Sequence, residues 1–377
     1  MAGNPVPVPK PEEDIKILCI KDLQDAAAKK LPKGILEFYN SGSTDQITVN
    51  ENSTAFNKYR IRPRVLRDVS NTNTSTTLWN RNVCFPLGIS PAGLQAAAHP
   101  EGEKATARAA ARRGINMAIS SFANYSVAEI RAAGLDVGPI DHAMQLYTLQ
   151  DRDLELRMIQ GAERQGCKAI FLTADSPVLG VRYNEWRNDF RAPQGLGFPN
   201  VNWSTETTHD SAFKSFNADD HSWEREIPWL RSATKMEIWI KGVLTAEDTL
   251  KAIEMGCDGI LVSNHGGRQL DGVPASVDAL PECVAAAEGR IRIHVDGGIR
   301  SGTDIFKALA LGAECCWVGR PALWGLAYDG EKGVEIMIET LENEFRKCMQ
   351  LAGCRSVRDI TKQCLGVVRS DGPLARL

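Results

Sequence analysis

The chain has 377 residues, and its 44 Lys and Arg against 47 Asp and Glu give a formal net charge of −3 at pH 7. A charge so close to balance excludes the broad basic surface by which proteins bind nucleic acid or anionic membranes, and no apolar run approaches the ~18 residues of a membrane span. The length is that of two or three average domains, or of one α/β barrel with extensions.

The first 14 residues, MAGNPVPVPKPEED, contain too many prolines and acids for a signal peptide and are expected to form a flexible arm. The ten cysteines show no CxxC spacing, so we expect reduced thiols in an intracellular protein. At the other end, Ala375-Arg376-Leu377 resembles the SKL-type address and predicts a peroxisomal location, with the cytoplasm as the alternative.

Residues 14–40 are expected to form two short helices. Apolar residues such as Leu18 and Leu23 recur at the spacing of one helix face, and Pro32 interrupts the pattern. The next stretch, SGSTDQITVNENSTAF, is rich in turn and cap formers. The sequence therefore predicts that residues 1–80 form an N-terminal arm and a cap on a larger body.

Between residues 81 and 345, apolar runs alternate with segments of helical period. The runs, each interpreted as a strand, are Pro86–Ser90, Ile115–Ser120, Ala143–Tyr147, Ala169–Asp175, Met236–Lys241, Gly259–Ser263, Ile291–Asp296 and Cys315–Val318. The predicted helices are Glu101–Arg113, Ser126–Ala133, Arg152–Gln165, Ala246–Met255, Ser276–Ala287 and Thr303–Leu311. Eight strands, with no GxGxxG after the first, indicate an α/β fold of the (β/α)8 TIM-barrel class and not an open dinucleotide-binding sheet.

One interval breaks this alternation. Residues 183–228 show no sustained period and are dense in Asn, Asp, Ser, Gly and Pro. They leave the fourth predicted strand at the end where barrel active sites lie, so we interpret them as a lid loop. Residues 346–377 are the predicted C-terminal tail, and the whole chain is interpreted as a single domain.

Polar residues and glycines stand where the predicted strands end, and in a barrel these ends meet at one rim. Gly298 and Arg300 follow the seventh strand, and Gly319 and Arg320 follow the eighth. This is the position where barrels commonly bind phosphate through backbone N–H groups. We therefore expect a cofactor that carries a phosphate.

The same rim is predicted to hold Lys241, Arg182 and Arg268. Such a cationic pocket suits an anionic substrate, since arginine can hold a carboxylate through two parallel hydrogen bonds. His265 stands at a strand end in a position that suits a general base, and Asp175 could orient it. The other histidines are expected to be structural or exposed.

Longer motifs carry a specific resemblance. SNHGGRQLDGVPASVDALPE, VDGGIRSGTDIFKALALGA and VGRP, with QLYTLQDR, LTADSP and KGVLTAED, resemble the FMN-dependent 2-hydroxy-acid oxidases and dehydrogenases, the glycolate-oxidase and lactate-oxidase family. The likeness runs over nearly the whole chain. It implies oxidation of an L-2-hydroxy acid to the 2-oxo acid, with electrons passing through FMN to dioxygen and hydrogen peroxide as a product. It also suggests a homotetramer.

The resemblance assigns roles in catalysis and substrate binding. His265 would take a proton from the substrate, either from the α-carbon or from the hydroxyl as hydride leaves, and Asp175 would support the imidazolium. Arg182 and Arg268 would hold the substrate carboxylate. Tyr147 would hydrogen-bond the substrate oxygen.

For the cofactor, the resemblance places Lys241 near the flavin N1–C2 edge, where a cation stabilises the negative charge of the reduced ring. No metal is implied. The other implied flavin-binding residues are Pro91, Ala92, Gly93, Ser120, Gln145, Thr173, Ser263, Asp296, Gly298, Arg300, Gly319 and Arg320.

Four positions depart from the family pattern. Phe38 stands where a tyrosine usually reaches the substrate carboxylate, Phe122 replaces a tryptophan and Gly272 replaces a tyrosine, so we expect an altered and enlarged substrate pocket. Gly93 replaces a small side chain against the flavin, which leaves a decarboxylating lactate-type monooxygenase as an alternative. A non-redox lyase or isomerase that uses Lys241, or a catalytically altered binder of an anion, is the alternative from a different class.

Overall fold

A closed barrel of eight parallel strands forms the centre of the fold. The computed structural model describes residues 16–201 and 206–368, together with the backbone of residues 375–376. The strands neighbour one another in sequence order and the last pairs with the first, which confirms the predicted (β/α)8 barrel. They are β1 (Leu87–Ile89), β2 (Asn116–Ile119), β3 (His142–Leu146), β4 (Ala169–Thr173), β5 (Glu237–Val243), β6 (Gly259–Val262), β7 (Arg292–Asp296) and β8 (Cys315–Val318).

The barrel strands are apolar because both of their faces are buried. Every residue of β2, β3 and β4 is buried, so apolar residues stand on both faces of these strands, where a half-buried strand would alternate. Inside the barrel, Phe171 and Trp317 contact each other edge to face. The hairpin of Thr76–Leu78 and Arg81–Val83 adds Trp79, whose ring lies 6.0 Å from that of Trp317. The interior is thus filled with side chains, and functional groups are left to the loops that follow the strands.

Helices follow the strands where the sequence predicts them. Ser126 and Ser301 each cap a helix by accepting a hydrogen bond from the backbone three residues later. All six predicted helices begin and end within two residues of their predicted limits. The eight barrel helices are α1 (Gly102–Arg112), α2 (Val127–Leu135), α3 (Arg152–Arg164), α4 (Trp223–Ala233), α5 (Ala246–Glu254), α6 (Ser276–Ala287), α7 (Gly302–Ala310) and α8 (Arg320–Ala352).

Two of these helices differ from the sequence interpretation. Helix α8 begins directly after β8, bends at Asp329 and Gly330, and runs to Ala352, so it extends past residue 346, the predicted start of the C-terminal tail. Helix α4 overlaps the interval interpreted as a lid. It contains Pro228, and because proline is rare inside helices its presence argues locally against a helix.

The segment after β4 holds more regular structure than its sequence suggests. Tyr183–Arg187 and His209–Phe216 are helical, and the second of these is capped by Thr208 and buries Phe213. Helices of one or two turns are too short to show a clear hydrophobic period. The interpretation of residues 183–228 as a lid stays a prediction.

Three helices precede the barrel: Ile20–Lys30, Lys33–Asn40 and Ile47–Thr54. The first packs against α8, and the other two contact the loops that follow β4 and β6. From the third of these, Asn52 exchanges two hydrogen bonds, of 2.9 and 2.7 Å, with the side chain of Asn264 after β6. Both side chains are buried. The N-terminal segment is therefore tied to the loops that form the site.

A small antiparallel sheet joins the segment that follows the cap helices to the C-terminal region. Tyr59–Ile61 pairs antiparallel with Leu365–Val367, which also pairs with Ala375–Arg376. Two residues of the predicted peroxisomal tripeptide thus lie in a backbone ladder, and Leu377 lies outside the described residues, as does the arm at residues 1–14.

All ten cysteines are free thiols, as expected from their spacing. Over the part of the chain that the structure describes, no helix is both long enough and apolar enough to cross a membrane.

Candidate active site

A cavity lies at the carboxyl ends of the barrel strands, beneath the cap helices and the segment after β4. Nearly all of the predicted site residues line it. They are Phe38, Pro91, Ala92, Gly93, Ser120, Phe122, Gln145, Tyr147, Thr173, Arg182, Lys241, His265, Arg268, Asp296, Gly298, Arg300, Gly319 and Arg320. The remaining two, Asp175 and Ser263, lie behind the lining, and each forms a hydrogen bond to His265.

His265 lies in the turn after β6, where its backbone has a left-handed φ of 58°. This conformation is uncommon for a residue with a side chain, and the backbone N–H is held by Ser263 Oγ at 3.1 Å. The ring Nδ1 lies 2.8 Å from Asp175 Oδ1. An ionised carboxylate can only accept a hydrogen bond, so Nδ1 carries the hydrogen and Nε2 is the unprotonated nitrogen.

Burial and nearby charges keep this pair in the form that a base requires. Burial, aided by the positive charge of Lys241, lowers the pKa of His265 to about 4. Burial alone would raise the pKa of Asp175, but Lys241 and His265 together hold it below its usual range. At neutral pH the imidazole is therefore neutral and can accept a proton, while the carboxylate can stabilise the cation that forms.

Several buried polar atoms at the cavity have no hydrogen-bond partner among the described residues. They are Ser90 Oγ, Lys241 Nζ and Asp296 Oδ1. Lys241 Nζ lies 3.7 Å from Asp175 Oδ2, which is close enough for charge attraction but too long for a hydrogen bond. Unpaired buried groups are costly, so these atoms indicate a polar ligand. The acceptor-rich edge and hydroxylated chain of FMN offer suitable partners, and the residues fit this cofactor.

The end of the cavity between β7 and β8 is built for an anion. Gly298 packs so closely on the cap that a Cβ there would lie 1.8 Å from the carbonyl oxygen of Asn52, and its φ is 80°. Burial lowers the pKa of Arg300 to about 10, and burial with the neighbouring arginines lowers that of Arg320. Helix α8 also begins here, with its N-terminus at the cavity. A phosphate bound here would offset this positive charge, and helix N-termini and arginines commonly bind phosphate.

Hydrogen bonds and close packing fix the lining between these two ends. Gln145 Nε2 donates to Thr173 Oγ1 at 3.0 Å. Gly93 packs against Phe122, since a Cβ at this glycine would lie 2.8 Å from the Phe122 carbonyl oxygen. Burial raises the pKa of the Tyr147 phenol, which therefore remains a proton donor in hydrogen bonds at neutral pH.

Arg182 and Arg268 reach the cavity from different loops and are joined by a third residue. Glu185 Oε1 accepts hydrogen bonds from Arg182 Nη1 at 3.1 Å and from Arg268 Nη2 at 3.2 Å. Arg182 Nε donates to the carbonyl oxygen of Arg268 at 3.0 Å. The two guanidinium groups are thus held side by side, an arrangement that suits one carboxylate ligand. The sequence interpretation did not identify Glu185.

The far end of the cavity is aromatic and apolar. Besides Phe38 and Phe122, its lining includes Leu179, Phe190, Ala192, Phe198 and Phe213. Phe38 stacks on Phe190 with ring centroids 4.2 Å apart, and the Arg268 guanidinium lies 5.0 Å from the Phe38 ring centre. The additional residues belong to the irregular segment after β4, where no sequence pattern points to them.

Gly272 is not among the described residues that line the cavity; its N–H donates to Thr48 Oγ1 at 3.0 Å beside the cap helix. A Cβ at this position would meet open space, so the expected enlargement of the pocket by the missing tyrosine stays a prediction. His209, expected to be structural or exposed, lines the cavity with its Nδ1 2.8 Å from Glu185 Oε2. A lone histidine in an irregular segment gives no signal of such a position.

Comparison with known proteins places this geometry in a family. The model of the FMN-dependent dehydrogenase family matches residues 27–367. Oxidase FUB9 of Fusarium oxysporum f. sp. lycopersici is 42% identical over 365 residues, which cover 95% of this chain and 94% of that protein. Glycolate oxidase of Spinacia oleracea is 42% identical over 370 residues, which cover 96% and 99%. A structure of mandelate oxidase with (S)-4-hydroxymandelic acid superposes with a TM-score of 0.87 at 36% identity, covering 96% of this chain and 100% of that one.

Proposed function

Since the chain belongs to the FMN-dependent dehydrogenase family and is an FMN-dependent 2-hydroxy-acid oxidase, we propose that its substrate is an L-2-hydroxy acid with a bulky apolar or aromatic tail. Dioxygen is the proposed acceptor, so the products are the 2-oxo acid and hydrogen peroxide. One observation carries the proposal: a single cavity holds the neutral His265, the arginine pair and an aromatic far end. The test is peroxide release together with identification of the organic product.

His265 acts as the base in this proposal. Its unprotonated Nε2 takes a proton from the substrate, and Asp175 keeps the ring in the required tautomer and stabilises the imidazolium. Arg182 and Arg268 bind the substrate carboxylate, and Tyr147 donates a hydrogen bond to the oxygen on C2. These contacts fix C2 beside the base.

FMN, when bound, would accept the two electrons that the substrate loses and would pass them to dioxygen. The residues that would hold its ring are Pro91, Ala92, Gly93, Ser120, Gln145, Thr173, Lys241 and Ser263. Asp296 would bind the ribityl chain. The phosphate would be held by Gly298, Arg300, Gly319 and Arg320. The unpaired Lys241 Nζ and Asp296 Oδ1, and the positive charge at the phosphate end, support this assignment.

The decarboxylating alternative rested on Gly93, and packing accounts for a glycine there, because Phe122 leaves no room for a Cβ. We therefore propose that the 2-oxo acid leaves intact. Recovery of the one-carbon-shorter acid from an aerated reaction would favour the monooxygenase instead, provided that catalase is present to remove any peroxide, which decarboxylates 2-oxo acids by itself.

We also propose a peroxisomal location and a homotetramer. The C-terminal Ala-Arg-Leu supports the first and the family resemblance supports the second. A fluorescent fusion that stays diffuse would contradict the first. A mass in solution other than that of four 41.3 kDa chains would contradict the second.

The pH dependence of kcat/KM follows from the electrostatics of His265. Burial and Lys241 hold its pKa at about 4, so we predict that kcat/KM stays flat as pH falls from about 8 to about 5.5 and decreases only as pH approaches that pKa. An unperturbed imidazole would titrate near ~6.5. Initial rates across this range check the prediction, with samples returned to neutral pH to control for denaturation. An acidic limb near ~6.5 would contradict it.

Substrate size provides a second prediction. Each buried methylene contributes about 0.8 kcal/mol, or about fourfold in kcat/KM, so we expect kcat/KM to rise from glycolate to larger L-2-hydroxy acids that reach the aromatic end. Phe38→Tyr would restore a donor near Arg268 and is expected to raise turnover of small acids.

A substrate panel measured on both proteins checks this prediction. The larger acids serve as the internal control, because their kcat/KM should change little with Phe38→Tyr. Either of two results would show the pocket interpretation to be wrong: glycolate as the best substrate, or small-acid turnover that does not respond to Phe38→Tyr.

A further inference from the structure

We propose that Glu185 sets the charge of the substrate site and thereby restricts this oxidase to acids with a single carboxylate. The proposal rests on the function proposed above for Arg182 and Arg268 as the carboxylate-binding pair. It concerns a residue that lies behind that pair and to which no role has been given so far.

Glu185 is placed by the chain itself. It lies one turn after Arg182, in the short helix Tyr183–Arg187, and is 5% exposed. One of its oxygens is shared by the two arginines, at 3.1 Å from Arg182 Nη1 and 3.2 Å from Arg268 Nη2. The other oxygen lies 2.8 Å from His209 Nδ1. Both carboxylate oxygens are therefore engaged, and the side chain has little freedom to leave the arginine pair.

The carboxylate of Glu185 is ionised in this setting. Burial opposes ionisation, but Arg182, His209 and Arg268 together hold its pKa below the usual range. Burial lowers the pKa of His209 despite the adjacent carboxylate, so the ring is neutral and donates its Nδ1–H to Glu185. The two arginines and the glutamate therefore leave one net positive charge at this end of the cavity.

Two neighbouring groups do not change this balance: Lys241 and Asp175 carry opposite charges 3.7 Å apart, and His265 is neutral at pH 7. Arg320 is a further cation that shares the Ser41 carbonyl oxygen with Arg268. It belongs to the phosphate end of the cavity, where the phosphate of bound FMN would offset its charge. A single substrate carboxylate thus neutralises the site. A second carboxylate on the substrate tail would lie against aromatic side chains, without a cationic partner and repelled by Glu185. An unpaired buried charge is strongly unfavourable, so such a substrate is rejected.

The wild-type holoenzyme gives the first test. L-malate and its β-monoamide have nearly the same shape, but only malate carries a second carboxylate. We expect kcat/KM for the monoamide to exceed that for malate at least tenfold at neutral pH. Equal turnover of the two compounds by wild-type enzyme would overturn the proposal without any variant being needed.

The variants then assign this discrimination to Glu185. Glu185→Gln keeps the shape but removes the charge, so we expect the malate-to-monoamide ratio of kcat/KM to rise at least tenfold. Glu185→Asp keeps the charge but shortens the side chain, so the ratio should stay near that of wild type even if both rates fall. Glu247→Gln removes the same charge from an exposed position and should leave the ratio unchanged.

The ratio separates this role from a purely structural one, because a loosened arginine pair would lower both rates together. FMN content by visible absorbance and thermal unfolding establish that each variant is folded and loaded. Should Glu185→Gln fail to fold, the wild-type ratio and Glu185→Asp decide the matter. A loaded Glu185→Gln enzyme with the wild-type ratio would overturn the proposal. Failure of wild type to oxidise any 2-hydroxy acid would instead contradict the proposed function.

Discussion

Replacing His265 by glutamine is expected to leave FMN bound while slowing anaerobic flavin reduction by several orders of magnitude. A positioned base contributes about 10²–10⁴-fold, and glutamine cannot accept a proton at neutral pH. Glutamine also cannot form the imidazolium cation that Asp175, with its Oδ1 2.8 Å from His265 Nδ1, stabilises in the wild-type enzyme. The rate of bleaching on rapid mixing with the best substrate measures the loss.

His221→Gln is a matched control, because His221 is partly exposed and does not line the cavity. It should reduce at the wild-type rate. Cofactor content must be measured first for both variants, so that a loss of FMN is not mistaken for a loss of the base. If the FMN-loaded His265→Gln variant is reduced anaerobically at a rate within tenfold of wild type, His265 is not the base.

The barrel could be predicted from the sequence because its strands obey one physical rule. A parallel strand such as β8 is buried on both faces, so its residues form an uninterrupted apolar run that ends where the chain returns to solvent. Once eight such runs are counted, the topology itself brings their polar ends to one rim. Residues as distant in sequence as Asp175 and His265 could therefore be expected to meet before any coordinates were known.

The substrate end of the cavity could not be predicted in the same way. Glu185, Phe190 and His209 belong to a segment with short helices and no hydrophobic period, so nothing local indicates which side chains face inward. Their positions depend on tertiary contacts, such as the stacking of Phe190 on Phe38 from the N-terminal cap.

Gly272 shows the limit of transferring a position by resemblance alone. It follows the strand that carries His265, and a family tyrosine at this position suggests a place in the pocket. In this chain the turn around Gly272 is held against the cap instead, where Asp271 accepts hydrogen bonds from the backbone and side chain of the Thr44–Thr48 segment. The order of the predicted strands places this turn at the correct rim of the barrel, but it does not indicate which way the turn faces.

Arg268→Lys is expected to lower kcat/KM by roughly 30- to 5,000-fold, the equivalent of the ~2–5 kcal/mol lost when one partner of a buried charged pair is truncated. Burial lowers the pKa of Arg268 to about 10, so it is still a cation at neutral pH. Its Nη1 donates to the carbonyl oxygens of Phe38, at 2.5 Å, and Ser41, at 3.2 Å, while Nη2 donates to Glu185.

A lysine ammonium is a compact charge and cannot reproduce this planar fork. In Arg268→Lys, either the cap carbonyls or Glu185 would lose their hydrogen-bond donor. The substrate carboxylate would then compete with the remaining acceptors for the single ammonium group. We therefore expect KM to rise and kcat to fall together. The matched control is Arg187→Lys on the helix Tyr183–Arg187, where the guanidinium is exposed, donates a hydrogen bond to Asn184 and lies 5.6 Å from the centre of the Tyr183 ring. Steady-state rates with the best substrate compare the two, and a loss of less than tenfold in loaded Arg268→Lys would show that the fork of Arg268 does not bind the carboxylate.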